Sequence, residues 1–391
     1  MVEVLLVVGI LVAAFVGYNI GGATTGPAFG PAVGSNAISK VGAAALMTVF
    51  FFVGGWTLGR EVVATLGGDI VPSSLFSLEV SITVLFFVGG ALFVGNVFGV
   101  PASTSMSAVG SIAGLGIATG EINWATMGVI VTWWLVAPVI AFWVSGVIGR
   151  YCYGYLNQMV AIPRSDEPTF VIDRSGSIPR VTTGESANRR EVVGTFVLIA
   201  IGCYMAFSSG ASNVANAVAP LVGSGDLAMN PAIILAAAAT GLGAFTIARR
   251  TLETLGNDIT DLPLTAAIIV AVVSATIISL LSAAGIPASF VVVATMSIIG
   301  LGWGRATRTT TISAGVRGRE PTNVSVGALA ADREGETLPK IGDERPEEIP
   351  KTADLFDPQT TARVILLQNF VPALATAGAY LTFRFVPLFG L

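Results

Sequence analysis

Three stretches of this 391-residue chain occur twice, in the same order. G-Y-N-I-G-G-A-T-T-G-P at 17–27 lies over G-A-S-N-V-A-N-A-V-A-P at 210–220, and R-E-V-V-A-T-L-G-G-D-I at 60–70 lies over R-R-T-L-E-T-L-G-N-D-I at 249–259. The third match sets G-V-P-A-S at 99–103 and S-I-A-G-L-G at 111–116 over G-I-P-A-S at 285–289 and S-I-I-G-L-G at 297–302. The matches are collinear and their offset drifts slowly, so the chain is a duplication of one unit, about 1–149 and about 191–391. Whatever this chain folds into is built twice. If each half crosses a membrane an odd number of times, the halves have opposite orientation, the plan of inverted-repeat transporters.

Composition says where the unit lives. With 53% hydrophobic residues, 11% charged residues and a mean hydropathy of +0.79, the chain falls in the polytopic membrane class, with the lipid bilayer as its surroundings. A net charge of −4 denies it the basic face that nucleic acid requires. There is no histidine, and Cys152 and Cys203 have no metal-ligand spacing, so neither a transition-metal centre nor a histidine proton relay is expected. No nucleophile–base pair is visible either, which speaks against an enzyme. The first apolar run, 4–16, has no basic residue before it and no small-residue cleavage pattern after it, and is expected to be retained.

Apolar runs that could supply spans of about 20 residues lie at 41–58, 78–98, 122–148, 191–206, 231–248, 264–284 and 363–386, after a short leading run at 2–15. Four other stretches, 17–34, 99–120, 207–223 and 285–304, are apolar yet thick with Gly, Pro, Ser and Thr. They are too polar for a lipid-facing helix and too apolar for a loop, which predicts unwound or discontinuous helices covered by protein or lining a wet cavity. The expected fold is an all-α polytopic membrane protein: an inverted-repeat helical bundle with discontinuous helices and two re-entrant hairpins. Its parts read as a first transmembrane repeat (1–149), a polar loop (150–190), the first part of a second repeat (191–304), an acidic polar loop (305–361) and a C-terminal transmembrane segment of the second repeat (362–391). Arg150, Arg164, Arg174, Arg180, Arg189 and Arg190 in the first loop, with Arg305, Arg308, Arg317 and Arg319 in the second, place both loops on the cytoplasmic side of a multi-pass cell-membrane protein.

In G-V-P-A-S-T-S, Gly99 permits a sharp entry and Pro101 suits the first turn of a helix. Ser103, Thr104 and Ser105 then fall at a helix N-terminus, where unpaired N–H groups and the positive dipole end converge. That is an anion cradle. Its copy keeps Pro287 and Ser289 but has Phe290 and Val291 for Thr104 and Ser105, so the first cradle is expected to hold more of the ligand. Asn213 and Asn216 share a helical face and offer both donors and acceptors. Their matching positions in the first half are Ile20 and Ala23, with Asn19, Thr24 and Thr25 supplying the polar atoms. Hydroxyls and amides without fixed charge suit a small multiply charged anion that must also leave. The competing reading is that these groups only back-bond and let helices approach; their repetition beside Gly-x-Pro in both halves favours a site.

The charged motifs come after a span each time. Arg60 and Arg249 are expected to snorkel at helix ends, and Asp69 and Asp258 to cap the next helix or turn. Glu253 has Ala64 as its first-half partner, and an unmatched carboxylate beside a transport site is a candidate for proton or cation coupling. Ser212 and Asp258 are the other coupling candidates. Without histidine, coupling runs through carboxylates or through a sodium ion on carbonyls and amides, and a transient Na+ is expected near Asn19 and Asn213. Trp56, Trp124, Trp133 and Trp134 read as interface-belt or packing residues.

In combination, the duplicated Asn-bearing signature, the G-x-P-x-S-T-S cradle and the R-x-x-x-x-T-x-G-x-x-I motif resemble the PiT family of inorganic phosphate transporters, which also contains sulfate permeases. The likeness covers nearly the whole chain outside the two loops. It implies a centrally bound tetrahedral oxyanion, phosphate by the family's main activity or sulfate by its other branch, taken up by symport with Na+ or H+ and with no other cofactor. Carried onto this sequence, the anion contacts fall on Ser103, Thr104, Ser105, Asn213, Asn216 and Ser289, with Asn19, Thr24 and Thr25 as first-half partners. The family's Asn-Asp pair is Asn19-Ile20 in the first half and Ser212-Asn213 in the second, so neither signature keeps its aspartate. That pattern stands closer to the sulfate-permease branch, and the lost negative charge favours a fully dianionic ligand. An anion channel is the alternative of another class; it needs a continuous polar lining, whereas Pro-capped, Gly-rich blocks suggest occlusion. A homodimer is compatible with the plan.

Overall fold

The computed structural model describes residues 2–34, 37–97, 103–160, 170–173, 180–183, 189–258, 264–306 and 358–386. Among these the helices are α1 (Val2–Gly34), α2 (Lys40–Trp56), α3 (Gly59–Ala64), α4 (Leu78–Val97), α5 (Thr104–Thr119), α6 (Trp124–Val147), α7 (Tyr153–Val160), α8 (Arg189–Gly223), α9 (Met229–Asp258), α10 (Leu264–Ala283), α11 (Phe290–Ala306) and α12 (Pro358–Phe385). Within the described residues six helices are long and apolar enough to cross a membrane, and α2 with 59–69 forms a further pair bent by 65°. The protein is a helical multi-pass membrane protein. Its outside is apolar because its solvent is lipid: Val4, Leu11, Phe86, Leu135, Trp143 and Phe196 all stand exposed. One departure from an all-α chain lies in the polar segment 150–190, where β1 (Phe170–Asp173) pairs antiparallel with β2 (Arg180–Thr183).

Contrary to expectation, 17–34 and 207–223 are not unwound. They are the second halves of continuous helices, α1 of 33 residues and α8 of 35, each about 50 Å long at 1.5 Å per residue. Polar side chains there satisfy themselves on the preceding turn: Thr24 donates to the Ile20 carbonyl at 2.7 Å, Thr25 to Gly21 at 2.7 Å, and Asn213 to Ser209 at 3.0 Å. Self-satisfaction, together with burial against neighbouring helices, lets a Ser- and Asn-rich helix persist at membrane depth. The interruptions fall before α5 and α11. Residues 286–289 are non-helical after Gly285, which adopts φ +70°, and Ser103 enters α5 from extended backbone. The 98–102 part of the first cradle, with Gly99 and Pro101, lies outside the described residues. At 16 and 17 residues, α5 and α11 are about 25 Å long, shorter than the ~30 Å hydrocarbon core, and each packs on the helix before it.

Packing is reciprocal between the halves. α1 crosses α9 while α8 crosses α2; α5 packs on α12 while α11 packs on α6; α4 lies on α1 while α10 lies on α8. Each of these pairs becomes the other when the halves are exchanged. The two main crossings are backbone contacts made through glycine. A Cβ on Gly21 would overlap the carbonyl oxygen of Thr240 and one on Gly210 that of Phe51; a Cβ on Gly54 would overlap Phe207 O and one on Gly243 Tyr18 O. These four contacts share one register, with Gly21 matching Gly210, Tyr18 matching Phe207, and α1 and α8 ending together at Gly34 and Gly223. The alignment that set Gly17 over Gly210 is therefore displaced by about one helical turn, a shift that leaves a helix face nearly unchanged. In the corrected register Thr24 is the counterpart of Asn213, not Ile20, and Pro27 of Asn216, not Ala23.

Candidate functional site

The stretch of α8 from Ser208 to Leu221 is buried throughout, with Ser208, Ser212 and Asn216 wholly inaccessible. Groups so placed need partners, and most find them across helices. Thr104 Oγ1 donates to Asn213 Oδ1, and Asn216 Nδ2 donates to that same oxygen at 3.1 Å and to Ser105 Oγ at 3.2 Å. Asn213 Nδ2 in turn donates to the Ser209 carbonyl at 3.0 Å and to its hydroxyl at 3.2 Å. Ser212 Oγ donates to the Ala288 carbonyl at 3.0 Å, inside the break before α11, and lies 3.4 Å from Ser105 Oγ. This cluster ties the starts of α5 and α11 to the middle of α8.

Both short helices are capped by the same device. The Ser103 hydroxyl accepts from Met106 N at 3.2 Å, and the Ser289 hydroxyl accepts from Val292 N at 3.3 Å. Both starts open on one small cavity. One part of its wall is polar, with Thr24, Ser103, Thr104, Ser209, Asn213 and Ser289; the rest is apolar, with Ala23, Pro27, Ala28, Met205, Phe290 and Val291. None of these residues is charged. Positive potential comes instead from two helix N-termini, reinforced by hydroxyl donors. Pro27 also lacks the amide proton that would bond the Ala23 carbonyl in a regular helix, and the buried Asn216 Oδ1 has no hydrogen-bond partner.

Five of the residues singled out in the sequence therefore line the cavity: Thr24, Ser103, Thr104, Asn213 and Ser289. Ser105, Ser212 and Asn216 stand behind them in the hydrogen-bonded cluster. Asn19 is elsewhere: it donates to Phe15 O at 2.8 Å and accepts from Asn96 Nδ2 at 3.0 Å, joining α1 to α4. Thr25 is buried on its own Gly21 carbonyl, away from the wall. Glu253 and Asp258 fall in the last turns of α9, where the side chains lie outside the described residues. The sequence reading did not place Ser209 and Met205 at the wall, although Ser209 is one turn before Asn213; nor did it single out Asn96.

Two like halves enclose a hydroxyl- and amide-lined cavity between helix starts, uncharged among its described lining residues, which is the architecture of a membrane carrier. The profile described as the phosphate transporter family matches residues 20–329, and the chain belongs to that family. It is 31% identical to the sulfate permease CysP of Bacillus subtilis over 294 residues, covering 75% of this chain and 76% of that one. It is 26% identical to a putative phosphate permease of Helicobacter pylori, covering 76% and 68% of the two chains. A solved structure titled "The sodium-dependent phosphate transporter" shares the fold with a TM-score of 0.64 at 18% identity, over 98% of this chain and 100% of that one.

Proposed function

We propose that the protein is a secondary active transporter that moves a tetrahedral inorganic oxyanion together with a cation, sulfate first and phosphate as the second reading. The observation that carries this is the chemistry of the wall. Sulfate is fully ionised at neutral pH and only accepts hydrogen bonds, which suits hydroxyls and helix N-termini. Hydrogen phosphate also donates one, best to a carboxylate; among the described residues none lining the cavity has one, and the Asn213 amide oxygen is already taken by Thr104 and Asn216. The likeness to a sulfate permease supports the first reading, and the likeness to putative phosphate permeases supports the second.

A dianion in a cavity without a fixed counter-charge calls for a cation to travel with it. Sodium is the better fit, on amide oxygens such as Asn216 Oδ1 and on carbonyls released by prolines inside helices; Glu253 is the residue for a proton route. In this reading the halves are inverted copies, α5 and α11 are re-entrant arms, and alternating access rocks one half against the other around the cavity. Proteoliposome uptake of labelled sulfate and phosphate under separately imposed Na+ and pH gradients tests it. Sulfate should accumulate under an inward Na+ gradient, and phosphate should compete weakly. Single-channel current steps would replace the carrier with a channel, and no accumulation of either anion would end the proposal.

A further inference from the structure

We infer that the cavity takes a tetrahedral dianion with one soft, weakly hydrated corner, thiosulfate, in preference to sulfate itself, and that Phe290 sets this preference. The inference rests on the oxyanion reading above and narrows it. The two helix starts that reach the cavity share Ser103 and Ser289 as caps, but the next two positions differ. α5 continues with Thr104 and Ser105, α11 with Phe290 and Val291. Where the first half presents a hydroxyl that reaches Asn213, the second presents an aromatic ring. With Met205 and Pro27, that ring gives the cavity an apolar quarter.

Four equivalent sulfate oxygens do not match such a wall. Each is a strong acceptor, and one turned toward Phe290 and Met205 would lose its water without gaining a donor. Thiosulfate has the same charge and the same tetrahedral outline, so the helix N-termini meet it as they meet sulfate. Its terminal sulfur is larger, more polarizable and a weaker acceptor than oxygen, and a negatively charged sulfur sits favourably against the positive edge of an aromatic ring. Three oxygens then face the Ser103 and Ser289 hydroxyls, which accept from Met106 N and Val292 N and keep their own protons to donate, and the N–H groups of the two helix starts, while the sulfur faces the apolar side. The wall is also fixed in place: Phe290 packs against both the main hydrophobic core and the smaller cluster formed by α6, α10 and α11.

The test is competition in proteoliposomes containing the full chain, with radiolabelled sulfate as the reporter and unlabelled thiosulfate, sulfate and phosphate as competitors. The wild-type protein should be half-inhibited by thiosulfate at about one tenth of the sulfate concentration, the lower end of the discrimination an apolar subsite gives. Phe290→Thr, which restores the first-half residue type, should bring that ratio to about one or reverse it, and Phe290→Leu should keep it. If Phe290→Thr does not assemble, Phe290→Tyr keeps the packing, adds a hydroxyl and should shift the ratio the same way. Sulfate uptake with thiosulfate competing no better than sulfate overturns this inference and leaves the oxyanion reading standing. A ratio unmoved by either polar variant removes Phe290 from it, and uptake of no anion at all overturns both.

Discussion

α5 and α11 begin from the same G-x-P-A-S sequence, are capped by equivalent serines and open on one cavity, yet only α5 goes on to place a hydroxyl on Asn213. α11 has Phe290 at the matching position, also at the cavity wall, and is joined to α8 through a backbone carbonyl, that of Ala288. The duplication thus supplies two helix starts and two positive dipole ends, while the later substitutions divide the wall into a hydrogen-bonding side and an apolar side. Symmetry in the backbone coexists with asymmetry in the chemistry. A carrier of one small anion needs the first for its conformational exchange and the second to fix which way the anion sits.

The equivalence of the halves can be disrupted at the crossings that create it. Gly21→Ala and Gly210→Ala should be equally severe, each pushing a methyl into a carbonyl of the opposite half, with most folded yield lost on size-exclusion chromatography of the solubilised protein. Gly30→Ala, with nothing within 4 Å of the added carbon, should behave like the wild type. Gly17→Ala, whose new carbon would stand 2.9 Å from the Ala239 methyl, should fall between them. Had the Gly17–Gly210 register been right, Gly17 rather than Gly21 would match Gly210 in severity.

The next effect separates the two helix starts. Thr104→Val removes the donor to Asn213 and leaves a buried amide oxygen short of one partner, and initial sulfate uptake should fall by about a hundredfold, or about 2.7 kcal/mol. Smaller again is the loss of a cap. Ser103→Ala should reduce uptake about tenfold and Ser289→Ala about threefold, both with a stability loss of about 1 kcal/mol, if the first start holds more of the anion as proposed. Last, Asn19→Ala should lower thermal stability by about 1 kcal/mol through the lost bond to Asn96 while leaving the apparent affinity for sulfate unchanged.

Much of this was legible in the sequence. Apolar runs separated the spans, the duplication announced two halves, and the Gly-x-Pro-Ala-Ser blocks located the starts of α5 and α11 with the right cap residues. Two things were not legible, for physical reasons. Ser- and Asn-rich segments look unwound to hydropathy, but their side chains bond to the carbonyl one turn back, so 17–34 and 207–223 stay helical within α1 and α8. The alignment of those segments rested on Gly17 over Gly210 and Pro27 over Pro220, and only the backbone contacts of Gly21 and Gly210 fix the true register. In the true register Thr24, singled out in the sequence, is the counterpart of Asn213 and faces the cavity, while Asn19 joins α1 to α4.

If one uncharged cavity between the two helix starts holds the oxyanion, equilibrium binding of labelled sulfate to the purified protein should reveal it without the complications of transport. One saturable site per chain is expected, lost in Thr104→Val and kept in Asn19→Ala, with both variants folded. Saturable binding that survives Thr104→Val and disappears with Asn19→Ala would put the anion elsewhere in the molecule.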